Sequence, residues 1–201
     1  VPVVLPALDG VRDALERGTR VADIGCGAGG AAMLIAENFP ASHVEGFDIS
    51  LHALDRARER RAEKQIPNVD FHDPREHPIA TDGSYGLVCT FDCIHDMTHP
   101  FEMMQTIRRA VSDDGTWLLV DIKALDTLEQ NVARNPMAPL LYGISVLSCM
   151  SSAMSAPDGA GLGTLGLPES KAREMALAAG FTRFRRLDVD HSVNAFYEIR
   201  P

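Results

Sequence analysis

The segment VADIGCGAGG, residues 21–30, decides the fold of this chain. An apolar run ends at Asp23 and Ile24, glycines follow at positions 25, 27 and 29, and Gly30 opens a segment, GAAMLIAENF, with helical periodicity. This order predicts a buried strand, a tight turn and a helix. Turns of this kind cradle nucleotide cofactors against the N-terminus of the helix.

The rest of the chain continues the alternation of strands and helices. Four further segments have strand patterns, at 43–50, 68–73, 85–92 and 115–122. Two more, 181–190 and 193–200, follow a helix that starts near Pro168, and the short connection between them predicts antiparallel pairing. The sequence therefore predicts an α/β fold with a doubly wound sheet of seven strands, mostly parallel with an antiparallel C-terminal strand.

The segment 123–167 breaks this alternation. It contains an apolar stretch, 139–155, which is predicted to be a helix, and a glycine-rich stretch, 157–166, without a sheet pattern. Because loops between late elements of such folds commonly carry binding residues, the segment is predicted to form a helical cap over the site. We expect a single domain, 1–201, with this cap insertion at about 123–167.

Composition limits the classes of function. The 201 residues are 45% hydrophobic, which suffices for one domain with a full core. The formal net charge of -9 argues against generic binding to nucleic acid or to an anionic membrane, since both favour a basic face. Four cysteines lack any C-x-x-C pair, and no secretory or membrane-spanning segment is visible, which indicates reduced thiols and a cytoplasmic location.

The glycine loop fits two cofactor templates. Gly25, Gly27 and Gly30 fit G-x-G-x-x-G, the dinucleotide fingerprint, whereas Asp23 with Gly25, Gly27 and Gly29 fits D-x-G-x-G-x-G. A carboxylate directly before the loop would face the pyrophosphate of a dinucleotide, which is unfavourable. S-adenosylmethionine has no phosphate and carries an ammonium group beside the turn, so Asp23 favours this cofactor, by direct contact or through a water molecule.

A second acid, Asp48, ends the second predicted strand 21 residues after Gly27. A carboxylate at this position can accept hydrogen bonds from both ribose hydroxyls of an adenosine cofactor. Sites for NAD share this feature, so Asp48 supports an adenosine cofactor without choosing between the two.

These motifs resemble those of the class I S-adenosylmethionine-dependent methyltransferases over nearly the whole chain. VADIGCGAGG is similar to their first motif, and the C-terminal hairpin to their last two strands. FDCIHDM (91–97) and FTRFRR (181–186) resemble a bacterial subgroup in which a winged-helix-like region usually precedes the catalytic domain. That region is absent from this sequence. The resemblance implies the Rossmann-like form of the doubly wound sheet.

The resemblance also implies which residues contact the cofactor. They are Asp23, Gly25, Cys26, Gly27 and Gly29 of the first motif, Asp48 and Ile49 beside the ribose, Asp73 beside the adenine, and Phe91 and Asp92 towards the methyl group. Asp73 has an alternative role as the cap of a turn before Pro74. The family often has more residues between the strand and this acid.

Candidates for catalysis and substrate binding come from location alone. His95 follows the predicted strand 85–92 within one turn, at the carboxyl edge where ligands bind, and is predicted to be a neutral general base facing the methyl group. A helix-start histidine bonded to the backbone is the alternative. Asn131 and Tyr142 are predicted substrate contacts in the cap. Asp92, His95 and His99 lack a further ligand cluster, so no metal ion is predicted.

The sequence thus predicts methyl transfer from S-adenosyl-L-methionine to an O, N or C nucleophile of a small molecule. A binding domain that senses the cofactor without catalysis is the main alternative, and an NAD-dependent oxidoreductase is a third. Neither nucleic acid nor membrane is predicted as a partner of this domain, and a homodimer stays open.

Overall fold

The computed structural model describes residues 3–201, in which strands and helices alternate as predicted. The strands are β1 (Arg20–Ile24), β2 (His43–Phe47), β3 (Val69–His72), β4 (Tyr85–Phe91), β5 (Val111–Ile122), β6 (Arg183–Arg186) and β7 (Asn194–Arg200). They form one sheet in the order β3-β2-β1-β4-β5-β7-β6. Strand β7 is antiparallel to both of its neighbours and the other pairs are parallel, which confirms the predicted sheet.

Eight α-helices accompany the sheet in the described part of the chain. They are α1 (Val11–Arg17), α2 (Gly30–Asn38), α3 (Leu51–Lys64), α4 (Pro100–Ala110), α5 (Leu128–Arg134), α6 (Ala138–Leu147), α7 (Cys149–Ala153) and α8 (Glu169–Ala178). Helix α3 starts directly after Ser50, whose hydroxyl accepts a hydrogen bond from the Ala53 N–H at 3.3 Å. None of these helices combines the length and the apolar composition that crossing a bilayer would require.

Both faces of the sheet are buried. One face packs against α1, α2 and α3 through residues such as Leu15, Met33 and Leu54. The other packs against α4 and α8 around Trp117. Helices on both faces require the strand order to reverse, and it does so between β1 and β4. The carboxyl ends of these two strands therefore open a crevice, which is where ligands bind in sheets of this kind.

The segment 123–167 lies at this carboxyl edge. The single helix expected at 139–155 is divided into α6 and α7 at Ser148, whose φ and ψ of -131° and -73° are not helical. Helix α7 packs against the short 3₁₀ turn Ile94–Asp96 that follows β4. Two backbone hydrogen bonds hold the later part of the segment to the same region, Ala160 N–H to Thr98 O at 2.9 Å and Gly163 N–H to His95 O at 3.2 Å.

Candidate active site

The glycine turn after β1 leaves its backbone open towards the crevice. Gly25, Gly27 and Gly29 have φ values of 73°, 53° and 73°, a conformation that side chains rarely adopt. A Cβ on Gly25 would lie 2.7 Å from the Cβ of Cys93, whereas a Cβ on Gly27 would meet nothing within 4 Å. The turn is thus tightly packed at its start and has open space at Gly27, where a ligand can approach the backbone.

Asp48 ties this turn to the end of β2. Its Oδ2 accepts a hydrogen bond from the Gly27 N–H at 2.8 Å, and its Oδ1 accepts one from the Ser50 N–H at 2.8 Å. Each carboxylate oxygen keeps a second lone pair for a ligand. The carboxylate therefore organises the glycine turn and presents acceptors to the crevice at the same time.

Asp23 is buried at the end of β1 with 1% of its surface exposed. Within residues 3–201, neither of its carboxylate oxygens has a hydrogen-bond partner of good geometry. Burial raises its pKa to about 7, an effect that the Ala32 backbone N–H offsets only in part and that the Asp48 charge increases. Such an unpartnered acid is costly in the free protein, and a cationic group on a ligand would relieve the cost.

Asp73 and Ile49 lie on either side of Arg75. The side chain of Arg75 donates to both oxygens of Asp73, at 2.6 to 3.0 Å, and to the Ile49 carbonyl oxygen at 2.8 Å. The Arg75 N–H also donates to Asp73 Oδ1 at 2.9 Å, so Asp73 caps its own turn, as the alternative interpretation expects. These bonds hold the pKa of the Asp73 carboxyl below its usual value. A contact with adenine stays a prediction.

Asp92 follows β4 in a left-handed conformation, with φ of 49°. Its Oδ1 accepts a hydrogen bond from the Asn194 side-chain amide at the start of β7. Partial burial and the Asp121 charge raise the pKa of Asp92 to about 6, although His95 and Asn194 act in the opposite direction. Asp92 is therefore an acid that can change its protonation state near neutral pH.

The surroundings of His95 differ from those that the sequence predicts for a general base. Its ring is buried, with 3% exposed, and Nδ1 lies 2.7 Å from Asp121 Oδ1 while Nε2 lies 3.1 Å from Asp96 Oδ1. Burial lowers its pKa, but the hydrogen bond with Asp121 and the close carboxylates of Asp121 and Asp96 outweigh burial and raise it to about 11. The expected neutral imidazole facing the methyl group is thus replaced by a charged ring between two carboxylates.

The two cap residues chosen from sequence do not reach the crevice. Asn131 is 1% exposed, and its side chain exchanges hydrogen bonds of 2.8 to 3.0 Å with the backbone of Leu125 and Thr127. Its polar atoms are satisfied by the loop that enters α5, which corrects its assignment as a substrate contact. Tyr142 is half-buried and packs against the small apolar cluster that contains Leu141 and Leu165.

One pocket of about 710 Å³ joins the glycine turn to the cap. Of the predicted residues, those that line it are Gly25, Ile49, Asp48, Phe91 and Asp92, whereas Asp23, Cys26, Gly27, Gly29, Asp73 and His95 are not among its lining residues. Cys26 is buried, and burial raises the pKa of its thiol, which disfavours a nucleophilic role.

The far wall of this pocket is formed by residues for which the sequence predicted no binding role. Its residues are Asp96, Thr98, His99, Glu102, Ser152 and Ser155. Ser152 and Ser155 belong to the cap, and the Thr98 hydroxyl meets them, 3.2 Å from the Ser152 carbonyl oxygen and 2.9 Å from the Ser155 hydroxyl. Only the polarity of the IHDMTH segment (94–99) could have indicated this wall, because short serine-rich stretches carry no motif.

Comparison with known proteins identifies the class to which this fold and site belong. Residues 15–157, more than half of the chain, match a family model described as a methyltransferase domain. The apo crystal structure of the S-adenosylmethionine-dependent methyltransferase SibL matches with a TM-score of 0.69 and 19% identity, over 100% of this chain and 54% of that one. Human N-acetylserotonin methyltransferase with S-adenosylmethionine matches with a TM-score of 0.65 and 17% identity, over 98% and 50% of the chains.

Curated relatives are similar over shorter stretches. The ubiquinone biosynthesis O-methyltransferase of Neisseria meningitidis is 28% identical over 116 residues, covering 57% of this chain and 48% of the relative. The ribosomal RNA large subunit methyltransferase G of Alcanivorax borkumensis is 39% identical over 89 residues, covering 43% and 21%. This chain spans less than half the length of either relative.

The chain therefore belongs to the methyltransferase-domain family, and its cofactor is S-adenosyl-L-methionine. The residues of the crevice fit this cofactor. The unpartnered Asp23 suits its cationic amino-acid end, and the acceptor-rich Asp48 suits its ribose. When bound, the cofactor supplies an electrophilic methyl group on a sulfonium centre.

Replacing Asp48 with alanine is expected to weaken cofactor binding by about 1.5–3 kcal/mol, the range for hydrogen bonds to a charged group. This corresponds to a Kd that rises about 10- to 150-fold. Calorimetry with S-adenosylhomocysteine measures it, and Asp55→Ala, on the exposed side of α3, is the matched control. An unchanged Kd for Asp48→Ala would remove Asp48 from the cofactor site.

Proposed function

We propose that this domain transfers the methyl group of S-adenosylmethionine to an O, N or C nucleophile of a small molecule. The observation that carries the proposal is the continuous pocket of about 710 Å³, which runs from Gly25 and Asp48 at the glycine turn to Ser152 and Ser155 of the cap. A cofactor held at the glycine turn leaves the cap end of this pocket for an acceptor. The segment 123–167 is then the acceptor-binding cap.

The residues of the chain act mainly by positioning. Asp48 binds the ribose while it holds the glycine turn, and Asp23 balances the ammonium group in a site without bulk water. Covering the crevice with the cap restricts the orientations of the acceptor, and a well-oriented pair of reactants reacts far faster than a free one. Most of the rate enhancement therefore arises from alignment.

Asp92 is the better candidate for receiving a proton from the acceptor. It lines the pocket, and its pKa of about 6 leaves it ionised at neutral pH but able to be protonated. His95 contributes through Asp96, which it contacts and which does line the pocket. His95 is thus a positioning residue in this proposal.

A small-molecule acceptor is supported by the pocket volume of about 710 Å³ and by the charge of the chain. Among the relatives, the (S)-tetrahydroprotoberberine N-methyltransferase of Eschscholzia californica, 27% identical over 120 residues, has a small-molecule substrate in its name. The name of the ribosomal RNA methyltransferase relative would instead suggest an RNA acceptor. The net charge of -9 disfavours contact with an RNA backbone, so we favour the small molecule.

Turnover tests the proposal. Labelled methyl transfer is measured with a panel of phenols, amines, thiols and activated carbon acids, with a ribosomal RNA fragment as a separate arm and Asp48→Ala as the cofactor-binding control. Transfer to a member of the small-molecule panel supports the proposal. Transfer to the RNA alone would replace the acceptor class, and tight S-adenosylhomocysteine binding without any turnover would favour the sensing domain.

Four free thiols support a reducing, cytoplasmic location as part of the same proposal.

A further inference from the structure

Three side chains of different chemistry meet where the cap touches the turn after β4. They are His95 and Asp96 of the 3₁₀ turn and Cys149 at the start of α7. One ring nitrogen of His95, a carboxylate oxygen of Asp96 and the Sγ of Cys149 all lie within 4.8 Å of one another. His95 and Cys149 are buried, whereas Asp96 is partly exposed to the pocket.

The buried carboxylate of Asp121 orients the ring of His95. Its Nδ1 lies 2.7 Å from Oδ1 of Asp121, and Asp121 is fixed in turn by the Ile122 N–H, which donates to the same oxygen at 2.8 Å. With Nδ1–H donating to Asp121, Nε2 is the nitrogen that faces Asp96 and Cys149. Histidines that bind metal ions are commonly oriented by a carboxylate in this way.

The contact between His95 and Asp96 is close but poorly aligned for a hydrogen bond. Nε2 and Oδ1 are 3.1 Å apart, yet Oδ1 of Asp96 is buried and, in the described part of the chain, has no hydrogen-bond partner of acceptable geometry. A nitrogen and an oxygen that share a tetrahedral zinc ion, each about 2.0–2.2 Å from it, would lie about 3.3–3.5 Å apart. The distance between Nε2 and Oδ1 is within a few tenths of an ångström of that separation, although the two atoms are not aligned for a hydrogen bond.

Cys149 brings the third donor from the cap. Its Sγ lies 2.9 Å from the hydroxyl oxygen of Thr164, which is also buried. That hydroxyl can donate to a thiolate, the form of cysteine that binds metal ions. The Sγ atom also lies within 4.8 Å of a carboxylate oxygen of Asp96.

The local charge favours a cation at this point. Asp92, Asp96 and Asp121 surround a single imidazole, and among residues 3–201 no lysine or arginine forms a salt bridge with any of the three. A divalent cation would balance this excess of negative charge better than one imidazolium can.

We propose that His95 Nε2, Asp96 Oδ1 and Cys149 Sγ bind one zinc ion that joins the cap to the turn after β4. Nitrogen, oxygen and thiolate ligands together suit zinc and disfavour magnesium and calcium. Because Asp96 lines the pocket, the remaining coordination position opens towards the acceptor end. A second cluster, formed by Glu45, His72 and His77, is less suitable, because Arg20 already holds Glu45 at 2.7 Å.

Metal binding can be measured without turnover. Protein stripped with chelator is titrated with Zn²⁺ against a chromophoric competitor, and with Co²⁺ to detect the sulfur-to-cobalt charge-transfer band. We expect one equivalent to bind. Cys149→Ser is expected to abolish the band, and Asp96→Asn to raise the Zn²⁺ Kd at least about tenfold. Circular dichroism of the metal-free variants checks that they are folded.

His77→Ala is the matched control, since it removes a ligand of the other cluster and is expected to leave both readouts unchanged. The proposal is overturned if the wild-type protein binds no Zn²⁺ at micromolar concentrations. It is also overturned if folded Cys149→Ser keeps the band and the affinity, or if His77→Ala loses them. Failure of these tests leaves the methyl-transfer proposal unaffected, because no readout depends on turnover.

Discussion

Replacing Asp23 with asparagine is expected to stabilise the cofactor-free protein and to weaken cofactor binding at the same time. The folded protein holds this carboxyl at a pKa of about 7, against an ordinary value of 3.8, because it is buried without a partner. The difference, 7 minus 3.8, is about 3 units, and at about 1.36 kcal/mol per unit it sets an upper limit of about 4 kcal/mol.

The stabilisation expected from Asp23→Asn should increase with pH. Between pH 3.8 and about 7 the folded state retains a proton that the unfolded state has lost, so the contribution of Asp23 to stability falls as pH rises through this range. Asparagine has no such penalty. The stabilising effect of Asp23→Asn should therefore be absent near pH 4 and complete at pH 8, where the melting temperature should rise by about 5–10 °C.

Cofactor binding should change in the opposite direction. The asparagine cannot balance the ammonium group, and we expect the Kd for S-adenosylhomocysteine to rise at least about tenfold at pH 8. In the wild-type protein the affinity should increase with pH up to about 7, because binding needs the ionised carboxylate. Calorimetry at pH 6, 7 and 8 with both proteins measures this, with Asp190→Asn in an exposed loop as control.

Two outcomes would contradict this account of Asp23. Equal melting temperatures of Asp23→Asn and the wild-type protein at pH 8 would mean that the buried carboxyl has an unseen partner. An unchanged Kd would mean that the acid serves the fold and not the cofactor.

The fold was predictable because the spacing of apolar residues along the sequence indicates directly which positions of a strand or helix are buried. The apolar run before the glycine turn and the strand predicted at 85–92 correspond to β1 and β4, and the glycine turn between β1 and α2 required no knowledge of distant residues. Asp48 could be assigned for the same reason, since the end of β2 must lie beside the end of β1 in a parallel sheet.

The acceptor side of the site was not predictable to the same degree. Asn131 was chosen for its polarity, but local hydrogen bonds to the loop before α5 satisfy it completely. His95 was chosen for its distance from β4, and nothing in the sequence near it reveals that Asp121, 26 residues later, pairs with its Nδ1. Partners that meet only through tertiary packing leave no local pattern, and the cap consists of such partners.

Replacing His95 with alanine is expected to destabilise the protein. Replacing an exposed catalytic base would instead leave the stability almost unchanged. Asp121 is 1% exposed, and its Oδ2 has no hydrogen-bond partner among the residues that the structure describes, so the imidazole is its compensating group. Removing one member of a buried charged pair commonly costs about 3–5 kcal/mol, because the other charge is left uncompensated. Denaturant unfolding in the presence of chelator should show a loss of this size for His95→Ala.

A second substitution separates the buried charge from the loss of packing. If the unpaired carboxylate causes the loss, adding Asp121→Asn to His95→Ala should recover part of it, because the amide carries no charge to leave buried. His99→Ala, which removes a neighbouring half-exposed histidine that lies 3.9 Å from Asp158, should change stability by less than about 0.5 kcal/mol. A His95→Ala protein as stable as the wild type, with turnover reduced about a hundredfold, would restore His95 as a general base. Equal stability of the single and double variants would assign the loss to packing alone.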